Sequence, residues 1–288
     1  MKYMDLMKKR ESIREYRKKK VEEEALEKIR AYFPKAKRLF PEIGTELMIF
    51  TDEAAGRLEG TAGYKGYSFG APAYLVILSE KKDHYLENAG YLGEDMLLKM
   101  TDCGLDGCWL TVGDGDMVKH ALLFKSDLEV VSIFACGYRK KDPLMKRIDI
   151  LNPSGKAFKK RSGHAAPKIA QTELVFDHVW NCPVDWDGGS IDSTLDQALY
   201  GASLAPSFLN RQPYRYIIGD KLLLLCTTKE EMTSDEDRGL DCGATMLNFD
   251  MAYSLYGNES NHWRMGTPPS MWDAKLPEDY YVVAYYDL

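Results

Sequence analysis

The sequence has no apolar run that could span a bilayer: its longest aliphatic stretch, Leu222 to Leu225, is far short of the roughly 20 residues such a span needs. It has no basic excess either. Thirty-eight Lys and Arg face 44 Asp and Glu, a formal charge of −6 with a pI near 5.5, which argues against nucleic acid or an anionic membrane as the main partner. No two of the six cysteines have CxxC spacing, so the signatures of a zinc site or a disulfide framework are missing. Cys136 and Cys226 sit in apolar strand-like runs, where a reduced thiol behaves as a small hydrophobe. There is no GxGxxG, hence no sign of a Rossmann dinucleotide domain. The opening MKYMDLMKKRESIREYRKKK lacks the apolar core of a secretory signal, and a cytoplasmic location is expected.

What remains is ordinary globular composition, 45% hydrophobic and 28% charged over 288 residues, enough for one large domain or two of common size. Helices are expected over residues 3–12 and 21–31, the second with acidic residues first and basic residues last, as a helix dipole favours. Residues 46–50 and 73–78 read as strands around a Gly/Tyr loop, 60–70. From Tyr85 to Cys103, Leu86, Ala89, Leu92, Met96, Leu97 and Met100 recur at helical spacing. Residues 129–137 read as a strand, and 138–163 as a polar linker with Pro143 and Pro153. The order then repeats: a helix over 192–204, strands over 214–218 and 222–226, a helix over 240–256 and a strand over 281–286. Laying Gly93 over Gly243 aligns the two long helices. A period near half the chain points to an internal duplication of an α+β unit, with halves 1–150 and 151–288.

Two constellations carry possible chemistry. Arg10-Glu11-Ser12-Ile13-Arg14 places two guanidinium forks and a hydroxyl at a helix end, groups able to grip a phosphomonoester, although a charge run is more often a solvated face. Ala205-Pro206-Ser207-Phe208-Leu209-Asn210-Arg211-Gln212-Pro213-Tyr214 combines prolines that fix the backbone with Ser207, Asn210 and Gln212, donors and acceptors suited to the edge of a planar heterocycle. A Pro/Asn turn capping a helix is the plainer alternative.

RESIR resembles the N-terminal RRSxR signature of the nitroreductase superfamily, and APSFLNRQPYRY is similar to its APSxxNxQPW signature. Residues 104–110 (GLDGCWL) resemble the turn that follows the family's long helix, and Ala135-Cys136-Gly137-Tyr138 its late strand end. The likeness is to members that carry two halves in tandem. Ordinary members are homodimers with FMN at the interface, one subunit supplying RRSxR and the other APSxxN. Here each half keeps one signature, and residues 33–40 (FPKAKRLF) do not match where the first half would show the second. The resemblance implies a nitroreductase-like fold whose halves form an intramolecular pseudo-dimer, a monomer with one FMN site.

By that resemblance Arg10 and Ser12, with Lys159 and Arg161 as a late K-x-R clamp, hold the FMN phosphate and ribityl chain. Arg14 faces the pyrimidine edge and stabilises reduced flavin. Leu110 and Thr111 present backbone near N5, while Pro206, Ser207, Asn210 and Gln212 reach across from the second half. Glu11 departs from the family's basic pair, and Tyr64 to Tyr67 stand where polar flavin contacts are common. The implied activity is transfer of hydride from NAD(P)H through flavin to a nitroaromatic, quinone or similar planar acceptor. The competing expectation is a flavin-binding protein of the same fold without turnover.

Overall fold

The computed structural model describes residues 1–140, 167–186, 191–229, 231–255 and 262–288, and the backbone alone of 144–152 and 155–162. Helices α1 (Tyr3–Lys9) and α2 (Glu23–Tyr32) lead to strand β1 (Thr45–Thr51). Helix α3 (Asp52–Gly56) and a glycine-rich loop precede β2 (Ala73–Ser79), α4 (Tyr85–Asp102), β3 (Asp106–Leu110), α5 (Gly115–Leu122) and β4 (Glu129–Gly137). The four strands form an antiparallel sheet in the order β1-β2-β4-β3. Strand β2 is buried along its whole length, and the two-residue period sends its side chains into two cores. Leu75 and Ile77 join Leu26, Ile29, Leu92 and Met96 under α2 and α4, whereas Tyr74, Val76 and Leu78 join Leu58, Val118 and Leu122 under α5.

The segment read as a polar linker is instead an antiparallel hairpin, β5 (Leu144–Asn152) with β6 (Gly155–Ser162). Its register places Arg147 opposite Lys159 and Met145 opposite Arg161. The expected boundary near residue 150 falls within β5. Then follow α6 (Gln171–Leu174), β7 (Val175–Asp177), α7 (Ser193–Ser203), β8 (Tyr214–Ile218), β9 (Leu222–Thr228), α8 (Asp235–Tyr253), β10 (Arg264–Met265) and β11 (Tyr280–Asp287). Helix α8 starts five residues before the expected Leu240, at a capping box in which Ser234 and Asp237 satisfy each other's free backbone N–H.

The second sheet runs β10-β11-β9-β8-β7, with only β7 and β8 parallel. Apart from the added β7, this is the order of the first sheet, with β8, β9, α8, β10 and β11 in the places of β1, β2, α4, β3 and β4. The halves meet along α4 and α8. A Cβ on Gly90 would lie 2.1 Å from the carbonyl oxygen of Leu240, and one on Gly243 would lie 2.0 Å from that of Glu87. Each glycine thus admits the other helix's backbone three residues before its partner glycine, the reciprocity of a pseudo-two-fold axis. The residue equivalent to Gly243 is therefore Gly90, not Gly93, which faces Trp109 and Phe134 of its own sheet. No helix among the described residues is long and apolar enough to cross a membrane.

Candidate functional site

After α1 the chain straightens at Arg10, whose ψ is 131°, and lies along the free edge of β3. Ser12 bridges Gly107 in parallel fashion, the Ile13 N–H donates to the Gly107 carbonyl at 2.9 Å, and Tyr16 bridges Arg139. Alternation then buries Ile13 and turns Ser12 and Arg14 into a cleft. Glu11, a departure from the family signature, pins this segment. Its carboxylate accepts from Arg139 at 2.5 Å, and Arg139 also pairs with Asp106 of β3 at 2.7 Å.

The opposite wall comes from the second half. Following α7, the Phe208 N–H donates to both carboxylate oxygens of Asp241 on α8, at 2.9 and 3.1 Å, and the Gln212 N–H donates to Ser207 Oγ at 3.0 Å. Leu209, Asn210 and Gln212 all have left-handed φ, of 48°, 60° and 51°, a backbone that costs about 1–2 kcal/mol per residue. Side chains offset that cost: Asn210 Nδ2 donates to the Pro167 carbonyl at 2.8 Å, and Gln212 Oε1 accepts from the Ile169 N–H at 3.0 Å.

Between the walls lies a cleft with about 710 Å³ of open space, the solvent at its mouth included. The sequence-predicted Ser12, Arg14, Leu110, Thr111, Pro206 and Ser207 all line it. Tyr64, which the resemblance placed at a flavin-contact position as a departure from its polar residues, joins them, and Phe69, Phe208, Leu209, Asp237 and Asp241 do so without having been predicted. Tyr64 and Phe69 belong to the loop between β1 and β2, held by a hydrogen bond from the Gly63 N–H to the Thr111 carbonyl at 2.8 Å. Gly63 has φ of 85°, and a Cβ there would strike the Tyr67 carbonyl oxygen at 1.9 Å, so glycine is required. The Tyr64 ring meets Phe208 edge-on at 6.0 Å, one half touching the other across the cleft.

Other predicted residues lie elsewhere. Asn210 and Gln212 are spent on residues 167–169, and the side chains of Lys159 and Arg161 lie outside the described residues. Arg10 is buried beside the cleft. Its Nε is 3.7 Å from a carboxylate oxygen of fully buried Glu94, while Nη1 donates to Ser12 Oγ at 3.4 Å and Nη2 to the Leu204 carbonyl at 3.5 Å. Lys168, which the sequence did not single out, donates to the Ala205 carbonyl and completes a half-buried charged group with Arg10 and the fully buried Glu94. Burial and the neighbouring Arg10 push the Lys168 ammonium down to about 8, while burial pushes the Glu94 carboxyl up to about 7 against the pull of Arg10 and Lys168. One signal was present: Glu94 and Asp95 interrupt the apolar period of the long helix, and a carboxylate inside such a period needs a partner.

The pseudo-symmetric place in the other direction is built differently. Asn88, two residues before Gly90 as Asp241 is before Gly243, accepts the Phe40 N–H at 2.8 Å, the same backbone task with a neutral side chain. Arg38 is consumed locally by the carbonyls of Phe33 and Ala36 and by Thr45 Oγ1, and Phe40 stacks on His84. The connection between β8 and β9 is only residues 219–221, against 52–72 between β1 and β2, so no second Tyr64 loop exists there. Among the described residues no group of His, Cys, Asp or Glu could hold a metal ion. The described cysteines are free thiols; burial raises those of Cys108, Cys136 and Cys242, and pushes that of Cys226 up to about 12.

Residues 2–252 match the profile of a family described as "Putative TM nitroreductase". Among solved structures, a "putative nitroreductase" of Thermotoga maritima superposes with a TM-score of 0.59 at 16% identity, covering 100% of this chain and 94% of that one. An "FMN-dependent Nitroreductase" of Clostridium difficile is 27% identical, with a TM-score of 0.44, over 48% of this chain and 88% of its own. A "Putative NADH Oxidase" of Clostridium acetobutylicum, 23% identical with a TM-score of 0.43, likewise covers 48% of this chain and 89% of its own. No curated protein matches the chain.

Proposed function

This chain belongs to the family described as "Putative TM nitroreductase", and from that premise we propose that it is an FMN-dependent oxidoreductase holding one flavin in the cleft between its two halves. The observation that carries the reading is the meeting of Ser12 and Arg14 from one half with Pro206 and Ser207 from the other around a single cleft. The halves are taken as 1–150 and 151–288.

The residues present fit such a cofactor. Tyr64, Phe69, Phe208 and Leu110 offer apolar surface to a planar ring, and Ser12, Thr111 and Ser207 offer hydroxyls. Arg10 has a buried Nε with no hydrogen-bond acceptor, and Lys168 lies close to it, a cationic end suited to a phosphate. FMN, when bound, supplies hydride acceptance and release. Arg14 holds a positive charge in the cleft, favouring the negative charge gained on reduction. Leu110 and Thr111 offer backbone groups along the wall, with the Thr111 carbonyl already taken by Gly63. Tyr64 and Phe208 meet edge-on across the cleft and give it an apolar wall on that side. NAD(P)H and a small planar acceptor are the partners this reading assigns, with a single chain as the working unit.

A second reading rests on one specific observation: Arg10 is engaged by Glu94, and Asn210 and Gln212 by residues 167–169, so the grip on a cofactor is weaker than the signatures imply. It makes the chain a flavin-binding protein without turnover. An absorption spectrum with and without added FMN tests the shared part of both readings. Rapid bleaching of the bound flavin by NADH or NADPH supports the enzyme, and a bound flavin that neither nucleotide reduces defeats it.

A further inference from the structure

We propose that Glu94 is the internal counter-anion of the Arg10 and Lys168 pair, and that it gives way to the cofactor's phosphate by taking up a proton, so that phosphomonoester binding at this end of the cleft is coupled to protonation of Glu94. The proposal rests on the FMN reading and deepens it.

A buried ion pair kept for structure has its carboxylate oxygens hydrogen-bonded, because an unmatched buried charge is costly. Glu94 does not meet that condition. It is 0% exposed, neither carboxylate oxygen has a partner at hydrogen-bonding geometry, and the one neutral donor close enough to pull its carboxyl down is the Asn248 carboxamide. The 3.7 Å approach of Arg10 Nε is too long for a hydrogen bond, and Nε is itself unsatisfied. The remaining Arg10 contacts, at 3.4 and 3.5 Å, are the longest that still count. The guanidinium is therefore held only by long contacts, with Nε left without a hydrogen-bond acceptor. One of those loose contacts goes to Ser12, which lines the cleft.

The groups around Glu94 come from every side. Arg10 faces it from the N-terminal segment and Lys168 from the segment before α6, both cationic. Asn248 of α8 presents a buried carboxamide that leans on the Glu94 carboxylate and holds it down, short of a well-formed hydrogen bond. The Tyr214 hydroxyl of β8 lies near it, with Thr245 as its nearest polar neighbour. On its own helix stands Asp95, whose carboxylate is held by Tyr3, Tyr32 and the Lys37 N–H at 2.8 to 2.9 Å. Asp241 lies toward Lys168 on the cleft side. Burial already leaves the Glu94 carboxyl near neutrality at about 7, even with two cations beside it. A phosphate dianion drawn to the same cations would repel an ionised Glu94 at low dielectric, and the cheapest relief is a proton. Protonated Glu94 can then donate to Asn248 once the carboxamide turns its oxygen, which has no other partner, toward it.

Calorimetric titration of the intact protein at pH 7.5, in buffers of differing ionisation enthalpy, counts the protons taken up per ligand. FMN should bring net uptake that riboflavin, lacking phosphate, does not. In a Lys168→Arg background, where no lysine titrates, Glu94→Gln should abolish that uptake and leave FMN affinity nearly flat between pH 7 and 8, whereas Lys168→Arg alone should lose about fivefold across the same range. Lys168→Arg, whose guanidinium stays charged, should keep the uptake. No uptake in the wild type overturns the proposal, as does uptake lost in Lys168→Arg but kept in Glu94→Gln. If FMN fails to bind, the cofactor reading falls, and inorganic phosphate replaces it as the probe: proton uptake that depends on Glu94 still supports the coupling, and its absence overturns it.

Discussion

Arg14 is the cleft residue whose replacement separates cofactor chemistry from mere packing. It lines the cleft, lies 5.9 Å from the Phe69 ring and makes one weak contact, from Nη1 to the Ser12 carbonyl at 3.3 Å. Little structure depends on it. Loss of one charge-assisted interaction of about 1.5–3 kcal/mol predicts that Arg14→Ala weakens FMN by roughly tenfold to a hundredfold and slows its reduction. Arg17, whose Nε donates to the Arg139 carbonyl at the surface, is the control; equal behaviour of the two variants would remove Arg14 from the site. Asp250 carries a second prediction. It is partly buried on α8, accepts from the Tyr91 hydroxyl at 2.7 Å and is pushed by desolvation of its carboxyl up to about 7. The folded protein thus holds this proton more tightly than the unfolded chain. The resulting stability is complete below about pH 4 and is lost as pH rises through 7. Urea midpoints should fall between pH 5 and 8, and Asp250→Asn should flatten that slope; an unchanged slope would clear Asp250 of the effect.

At the level of elements, the crossing of α4 and α8 decides the sign of a substitution that helix propensity alone would get wrong. Gly90→Ala should gain up to about 1 kcal/mol in helix propensity, but its methyl would sit 2.1 Å from the Leu240 carbonyl oxygen, on a backbone that cannot rotate away. Overpacking of this kind costs about 1–3 kcal/mol or more, so denaturation should show a clear net loss for Gly90→Ala and for Gly243→Ala. A stabilised variant would mean that the helices are farther apart. The long helix was legible because its apolar residues keep a 3.6 period, yet the same period hid which glycine matches which. Shifting an alignment by three residues returns nearly the same face, so Gly93 aligned with Gly243 as convincingly as Gly90 does. The hairpin of β5 and β6 went unread because Pro143, Pro153 and the basic run at 159–161 mask alternation such as Ile148-Asp149-Ile150. Lys159 and Arg161 lie on β6, and their double Ala variant should lose FMN more than riboflavin if they hold phosphate. Equal losses would return them to the solvated surface.

For the whole molecule, the repeat, the two signatures and their separate halves were all visible in one dimension, since each is a local pattern. The Glu94, Arg10 and Lys168 group was not, because three residues so distant in sequence are joined only by tertiary placement. The same placement predicts one FMN per chain, measured by titration with sedimentation fixing the mass. Two flavins per chain, or binding lost on dilution to a monomer, would sink the pseudo-dimer. The unequal connections, residues 52–72 in one half and 219–221 in the other, also bear on how such a chain can change. Where two identical subunits meet on a true dyad, every substitution enters twice, and a bulky residue at the axis has to tolerate its own copy. Here a methyl added at Gly90 faces Leu240, and one added at Gly243 faces Glu87, so the two sides of the seam can be edited separately, and a gain on one helix can be matched by a trim on the other. The seam is thus a heterologous pair rather than a self-complementary surface, and its two sides can drift apart in sequence while the cleft beside it stays assembled.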